Sequence, residues 1–200
     1  MTSATRQRRH KKTRQAILDA ARRIVARQGI QDLSMREIAR QIDYSPAGLY
    51  EYFEGKEEIV QALCAEGHQQ LSAYIRQVDE SLPPSDYLVA IGLAYISFAL
   101  NNPDHYVLMF TNVPSKVQLE DMLGEGSSFP VLLQAIQRGI DAGVFKARPG
   151  YGLYEMAYAA WSLVHGISML RITYLGEFHL DFTAADRETL WAFNRGLQTG

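Results

Sequence analysis

Hydroxyl and ammonium groups gather in one short segment of the chain, SPAGLYEYFEGKEE. On a helix that buries Leu49 and Phe53 as its apolar pair, Tyr50 and Tyr52 would point towards water. Tyrosine hydroxyls, together with the ammonium group of Lys56, can bind phosphate oxygens through hydrogen bonds and charge. The segment therefore predicts a surface that contacts phosphates.

Charge is distributed unevenly along the chain, although the net charge is only −2. Residues 1 to 56 carry 12 Lys and Arg against 6 Asp and Glu, which leaves 8 basic and 16 acidic residues for the remainder. The basic part can attract a polyanion, and the acidic part would repel it. We predict that residues 1–12 form a flexible basic arm for nucleic acid; a solubilising tail is the alternative.

Apolar residues recur at helical spacing almost everywhere, and convincing two-residue alternation is absent, so the sequence predicts an all-α fold of about nine helices. Thr13 is a predicted cap of the first helix. The second helix is predicted to begin with a capping box from Ser34 to Glu37. Ser45 and Pro46 fit the cap and first position of a third helix. Two short helices joined by a tight turn are typical of a helix-turn-helix.

The N-terminal part of the sequence resembles a known family. Residues from 13 to about 66 are similar to the DNA-binding domain of the TetR family of bacterial transcriptional regulators, in which a phrase S-x-x-x-L-Y-x-Y-F-x-x-K-E-E precedes a long linking helix. The matching residues here are Ser45, Leu49, Tyr50, Tyr52, Phe53, Lys56, Glu57 and Glu58. The resemblance implies a helix-turn-helix domain over residues 13–57 and a helical regulatory and dimerisation domain over residues 58–200.

The resemblance also implies roles for single residues in binding double-stranded DNA. Phosphate contacts are expected from Ser34, Ser45, Tyr50, Tyr52 and Lys56. The residues expected nearest the base edges are Tyr44, Pro46, Ala47 and Gly48, and Thr13 is placed with the DNA-binding residues. Two positions depart from the family pattern: Asp43 stands where glycine is usual, and Pro46 can make only apolar base contacts. Shape readout or the basic arm is therefore expected to matter more than base readout.

The region from residue 58 onwards is rich in aromatic residues and predicts a small-molecule pocket. Its candidate lining residues are Tyr95, Phe98, Tyr106, Met109, Phe110, Tyr158, Trp161 and His165. Each of them taken singly also fits ordinary core packing. Since basic residues are few here, the expected effector is apolar or aromatic.

The last two predicted helices are expected to pair with their copies in a homodimer, because the first of them is apolar on two faces. The candidate interface residues are Val164, Ile167, Leu190, Phe193 and Leu197. The run WSLVHG within the first of these helices is similar to the Trp-His-Gly motif of one group of TetR C-terminal domains.

Other classes of protein find little support in the sequence. The five histidines have no metal-ligand spacing, and no nucleophile elbow or glycine-rich phosphate loop occurs, so neither catalysis nor a cofactor or metal is expected. The single Cys64 requires no oxidising compartment, and no apolar run reaches the roughly 20 residues of a membrane span. We therefore expect a cytoplasmic, ligand-responsive regulator, more often a repressor than an activator. The alternatives are a sequence-neutral DNA-binding protein and an all-α enzyme.

Overall fold

The computed structural model of the chain describes residues 3–112, 122–124, 126–176, 178 and 181–199. These ranges hold nine α-helices, one turn of 3-10 helix at Ile30–Asp32 and no β-strand, which confirms the all-α prediction. The α-helices are α1 (Ser3–Gln28), α2 (Met35–Gln41), α3 (Pro46–Leu49), α4 (Lys56–Ile75), α5 (Pro84–Asn101), α6 (Pro103–Thr111), α7 (Phe129–Asp141), α8 (Leu153–Thr173) and α9 (Thr183–Gln198).

The chain folds as two compact units. The first comprises Met1–Gly67 and Asp104–Pro114, and the second comprises His68–Pro103 and Ser115–Gly200. The helix α4 contributes its first part to one unit and its last part to the other. Nearly all of α6 belongs to the first unit, so the chain leaves that unit after α4 begins and returns to it some 40 residues later.

A single apolar core holds the first unit together. Its members come from α1 to α4 and from α6, and all are less than a tenth exposed: Ile17, Leu18, Ala20, Ala21, Ile24, Leu33, Ile38, Ala39, Leu49, Phe53, Ile59, Val60, Leu63 and Leu108. The α1 members repeat at three- and four-residue intervals, which makes one buried stripe. The stripe ends at Gly29, whose φ of +82° suits glycine and stops the helix.

The helix α6 is held closely against α4 within this unit. His105 is buried, and its Nε2 lies 2.6 Å from the carbonyl oxygen of Leu63. Since a carbonyl only accepts, this nitrogen carries the proton. Gly67 leaves room for the neighbouring helix, because a Cβ there would lie 2.3 Å from the sulfur of Met109.

The first helix begins ten residues earlier than its predicted cap. Thr13 lies inside α1, where its hydroxyl donates to the carbonyl of Arg9 at 3.2 Å, so the prediction of Thr13 as the cap was wrong. The residues before it include several Arg, Lys and Gln and no Gly or Pro, so nothing in their helix propensity stops the helix.

The second unit is built around α5, which is buried on several faces. Its packing partners are α7, α8 and α9. This position explains why its sequence is apolar nearly all round. Arg171 joins α8 to the start of α9, because it forms an ion pair with the carboxylate of Asp186 at 2.5 Å and its guanidinium lies over the ring of Phe182. Asp186 therefore pairs with Arg171, and its side chain does not cap α9.

Among the described helices, none combines the length and the apolar character that a bilayer span demands.

Candidate DNA-binding site

The turn between α2 and α3 is fixed by two side-chain caps. The Ser34 hydroxyl accepts from the backbone N–H of Glu37 at 3.2 Å, and the Ser45 hydroxyl accepts from that of Gly48 at 3.0 Å. Both caps and the position of Pro46 at the start of α3 were predicted from the sequence. Each serine hydroxyl accepts in its cap and keeps its own hydrogen to donate to another acceptor.

Asp43 takes the position where the chain needs a left-handed backbone. Its φ is +51°, and no other non-glycine residue in the described ranges has a positive φ. Asp and Asn tolerate this conformation better than other side chains, and glycine adopts it most easily. The conformation accounts for the glycine that the resemblance leads one to expect here.

Three tyrosines surround the third helix. Tyr50 is 59% exposed and Tyr44 is 37% exposed, whereas Tyr52 is half-buried. The hydroxyls of Tyr44 and Tyr52 share a hydrogen bond of 3.4 Å, and their rings meet edge to face. This hydrogen bond, followed by burial, raises the pKa of Tyr44 above its usual range. The hydrogen bond thus favours the protonated form of a hydroxyl that, like any tyrosine, is already protonated at neutral pH.

The small residue Gly48 serves the packing of Tyr44. A Cβ at Gly48 would lie 2.6 Å from Cε1 of the Tyr44 ring. Glycine at this position is therefore required by the packing of the Tyr44 ring. Pro46 and Ala47 themselves are exposed.

Lys56 makes a contact within the protein that its sequence position did not predict. Its ammonium group donates to the carbonyl of Ile30 at 2.8 Å and so ties the start of α4 to the short 3-10 helix. An ammonium group has three donors, so two remain for other acceptors such as phosphate. Lys56 thus makes a structural contact, and its phosphate contact stays a prediction.

Two further side chains of α1 reach this region. The ring of His10 stacks on Tyr52, with centroids 4.6 Å apart and planes inclined by 30°. The guanidinium of Arg14 lies 4.6 Å from the centre of the Phe53 ring. Sequence reasoning missed His10 because it treated residues 1–12 as a separate arm. Extending the apolar stripe seven residues back from Ile17 would have placed His10 on the inward face.

The predicted pocket residues fall in both units. Tyr106, Met109 and Phe110 belong to the first unit, where the first two are buried. Tyr95, Phe98, Tyr158, Trp161 and His165 belong to the second unit. Tyr158 lies on the surface, 71% exposed, and Phe98 is buried with its ring edge-on to Tyr74.

Three of the predicted pocket residues form one polar aromatic cluster in the second unit. The indole N–H of Trp161 donates to the Tyr95 hydroxyl at 3.3 Å, and that hydroxyl lies 3.4 Å from Nδ1 of His165. Phe129 packs beside Trp161. Burial lowers the pKa of His165 below its ordinary value, so the imidazole is neutral at pH 7. A neutral, ring-rich surrounding with a few hydrogen-bonding groups suits a small apolar or aromatic molecule.

The predicted dimer residues are mostly interior. Val164, Leu190 and Leu197 are buried within the single chain, and Ile167 and Phe193 are half-buried. The first three therefore offer little surface to a second copy. A different ridge of α8 is open instead: Tyr158, Ser162, Gly166, Leu170 and Tyr174 follow one another at four-residue intervals, and all except the half-buried Gly166 are exposed. A Cβ at Gly166 would meet no atom within 4 Å.

The described residues hold no cluster of three or more His, Cys, Asp or Glu side chains able to bind a metal ion. Burial raises the pKa of the Cys64 thiol, which disfavours the reactive thiolate.

Comparison with known proteins agrees with this geometry. A family model described as "Bacterial regulatory proteins, tetR family" matches residues 17–63, and one described as "Tetracyclin repressor-like, C-terminal domain" matches residues 88–194. A crystal structure of a bacterial regulatory protein in the tetR family from Rhodococcus RHA1 is similar with a TM-score of 0.73, at 23% identity over 94% of this chain and 98% of that one.

Two curated relatives match less than half of the chain. The HTH-type transcriptional regulator UidR of Escherichia coli is 35% identical over 77 residues, which are 38% of this chain and 39% of that protein. The HTH-type nicotine-responsive transcriptional repressor HdnoR of Paenarthrobacter nicotinovorans is 40% identical over 65 residues, 32% of this chain and 34% of that protein. The aligned regions thus span less than half the length of these relatives. The two family models together cover most of the chain, and the protein belongs to the TetR family of bacterial transcriptional regulators.

Proposed function

We propose that this protein is a homodimeric repressor that binds an inverted-repeat operator in the cytoplasm and releases it when a small apolar or aromatic effector binds. The observation that carries the proposal is the double-capped turn between α2 and α3, flanked by the exposed hydroxyls of Tyr44 and Tyr50. These groups stand where a helix-turn-helix meets the DNA backbone.

DNA binding in this proposal relies on the backbone more than on the bases. The helix α3 spans only Pro46–Leu49, and its exposed residues Pro46 and Ala47 carry no hydrogen-bonding side chain. Phosphate contacts come from Ser34, Ser45, Tyr50, Tyr52 and the two remaining donors of Lys56. Recognition of operator sequence then depends on Tyr44 and on the shape of the duplex.

The dimer forms through the open ridge of α8. Rows of residues four apart are the ridges that interlock when two helices cross. Here the row has large side chains at Tyr158, Leu170 and Tyr174 and small ones at Ser162 and Gly166, so a second copy can approach closely at the middle. Two-fold symmetry pairs the ridge with itself and presents two DNA-reading helices to an inverted repeat.

The effector binds at the cluster of Tyr95, Trp161 and His165. The neutral imidazole and the indole favour an uncharged or aromatic molecule, and the Tyr95 hydroxyl can orient one polar group of it.

The experiment that tests this function starts from the full chain and a random-sequence duplex library. Rounds of binding and amplification should enrich an inverted repeat, and the purified protein should bind it more tightly than a shuffled duplex at raised salt. Equal affinity for both duplexes would favour the sequence-neutral alternative. A transcription assay on the enriched site then separates repression from activation. Turnover of any small molecule by the protein would revive the enzyme alternative.

A further inference from the structure

We propose that His10 is a positioning residue for DNA binding, which acts through Tyr52. This inference rests on the proposed DNA-binding function and adds a residue that neither the family models nor the sequence motif assigns. His10 lies in the basic first turns of α1, outside the matched range of residues 17–63.

The contacts of the Tyr52 ring are the first support for this role. Tyr52 is in contact on two sides: the His10 ring stacks on it at 4.6 Å, and the Tyr44 hydroxyl bonds its hydroxyl at 3.4 Å. The three rings therefore form a continuous row from α1 to the turn before α3. Tyr52 and Tyr44 are both proposed DNA contacts. His10 is the member of the row that belongs to α1.

The second support is the register of α1. Four residues after His10, on the same helix face, Arg14 stacks on Phe53, which is the neighbour of Tyr52. The two ring contacts thus lie one turn apart on α1, and they join it to two neighbouring residues of the DNA-binding segment.

The physical consequence is pre-organisation. A tyrosine that is free to change rotamer must be ordered when DNA binds, and this ordering weakens the observed affinity. His10 holds the Tyr52 ring in place before DNA arrives. Its contribution is then that of an aromatic pair, which corresponds to about fivefold in affinity. The role requires a flat ring at residue 10 and does not require its charge.

Three substitutions separate a positioning role from a direct phosphate contact. His10→Ala removes the ring, His10→Phe keeps a ring without charge, and His10→Lys keeps a charge without a ring. With a duplex enriched by the wild-type protein as the probe, we expect His10→Ala and His10→Lys to bind about fivefold more weakly and His10→Phe to bind like wild type. The salt dependence of His10→Phe should equal that of wild type.

Two further measurements test the path through Tyr52. In a Tyr52→Leu background, His10→Ala should cause no additional loss, because the contact through which it acts is already absent. In the free protein, trypsin should cut the Arg- and Lys-rich start of α1 faster in His10→Ala than in wild type or His10→Phe.

The outcomes are distinct. Rescue by lysine and failure of phenylalanine would make His10 a phosphate contact and overturn the positioning role. Equal binding by all variants would overturn it too, while leaving the proposed function intact. If the wild-type protein enriches no duplex, the proposed function itself fails, and the trypsin measurement still decides whether His10 anchors the helix.

Discussion

At the scale of single residues, the exposed tyrosine in the DNA-binding signature is the most direct test of function. Removing one hydroxyl as Tyr50→Phe should weaken operator binding by about 1 kcal/mol, because one hydrogen bond to phosphate is lost. The melting temperature should not change, since the ring is 59% exposed. Tyr154→Phe, at an exposed tyrosine of the second unit, is the matched control and should bind DNA normally. A lowered melting temperature for Tyr50→Phe would show that the hydroxyl is structural.

Asp43 offers a second residue-scale test, because its backbone conformation and its charge can be separated. Asp43→Asn keeps a side chain that tolerates φ of +51° and removes a negative charge from the proposed DNA surface. Its affinity for any duplex at low salt should therefore rise. Asp43→Ala removes the same charge but should lose about 1 kcal/mol of folding stability. Equal stability of both variants would contradict the conformational argument.

The half-buried imidazole of His165 predicts how stability depends on pH. Burial lowers its folded-state pKa below the ordinary value near 6.5, so the unfolded chain binds a proton more readily. The His165 imidazole therefore does not change the free energy of unfolding above about pH 6.5. As the pH falls below that value, the group lowers stability, until the folded-state pKa is also passed. Thermal unfolding across this pH range should show a shallower decline for His165→Phe than for wild type. Parallel curves would mean that His165 is not held neutral by burial.

At the scale of elements, the close contact of α4 and α6 is the most specific feature of the first unit. Gly67→Ala would push a Cβ against Met109 and His105, and we expect it to destabilise the protein by about 1–3 kcal/mol. The control is Gly196→Ala in α9, where a Cβ meets no atom within 4 Å. That change should stabilise by about 0.5–1 kcal/mol through helix propensity. Chemical denaturation of both variants measures the difference, and similar effects would contradict tight packing at Gly67.

Some helices of the fold could be predicted from the sequence, and other features could not. Ser34 and Ser45 could be assigned as caps because capping depends on residues three positions apart, and α5 could be recognised from its apolar pattern. The inclusion of α6 in the first unit could not be predicted, because it depends on the contact between Leu63 and His105, 42 residues apart. The stack of His10 on Tyr52 is non-local in the same way. The burial of Val164 within the single chain could not be predicted either, because it depends on which face of α8 packs against the neighbouring helices.

At the scale of the whole molecule, a charge placed in the proposed dimer interface tests the dimer. Leu170 is 52% exposed, so Leu170→Glu should leave the folded chain intact while placing a charge in the self-paired ridge. Sedimentation should show monomers, and affinity for the inverted repeat should fall because the two half-sites are no longer bound together. Gln134→Glu places a charge at an exposed position of α7, outside this ridge, and should remain dimeric. A Leu170→Glu protein that sediments as a dimer would place the interface elsewhere.

The return of the chain to its first unit also affects how the protein is made. Leu108 belongs to the core of that unit, so the nascent chain cannot complete it when α4 leaves the ribosome. At translation rates of roughly 5–20 residues per second, about 40 further residues take about 2–8 seconds. During that interval Leu63 and its neighbours lack their α6 partner. A ribosome-bound fragment ending in α5 should therefore be more sensitive to protease and bind DNA less well than one that includes α6, and the newly made protein becomes competent to bind only when much of the second unit has been synthesised.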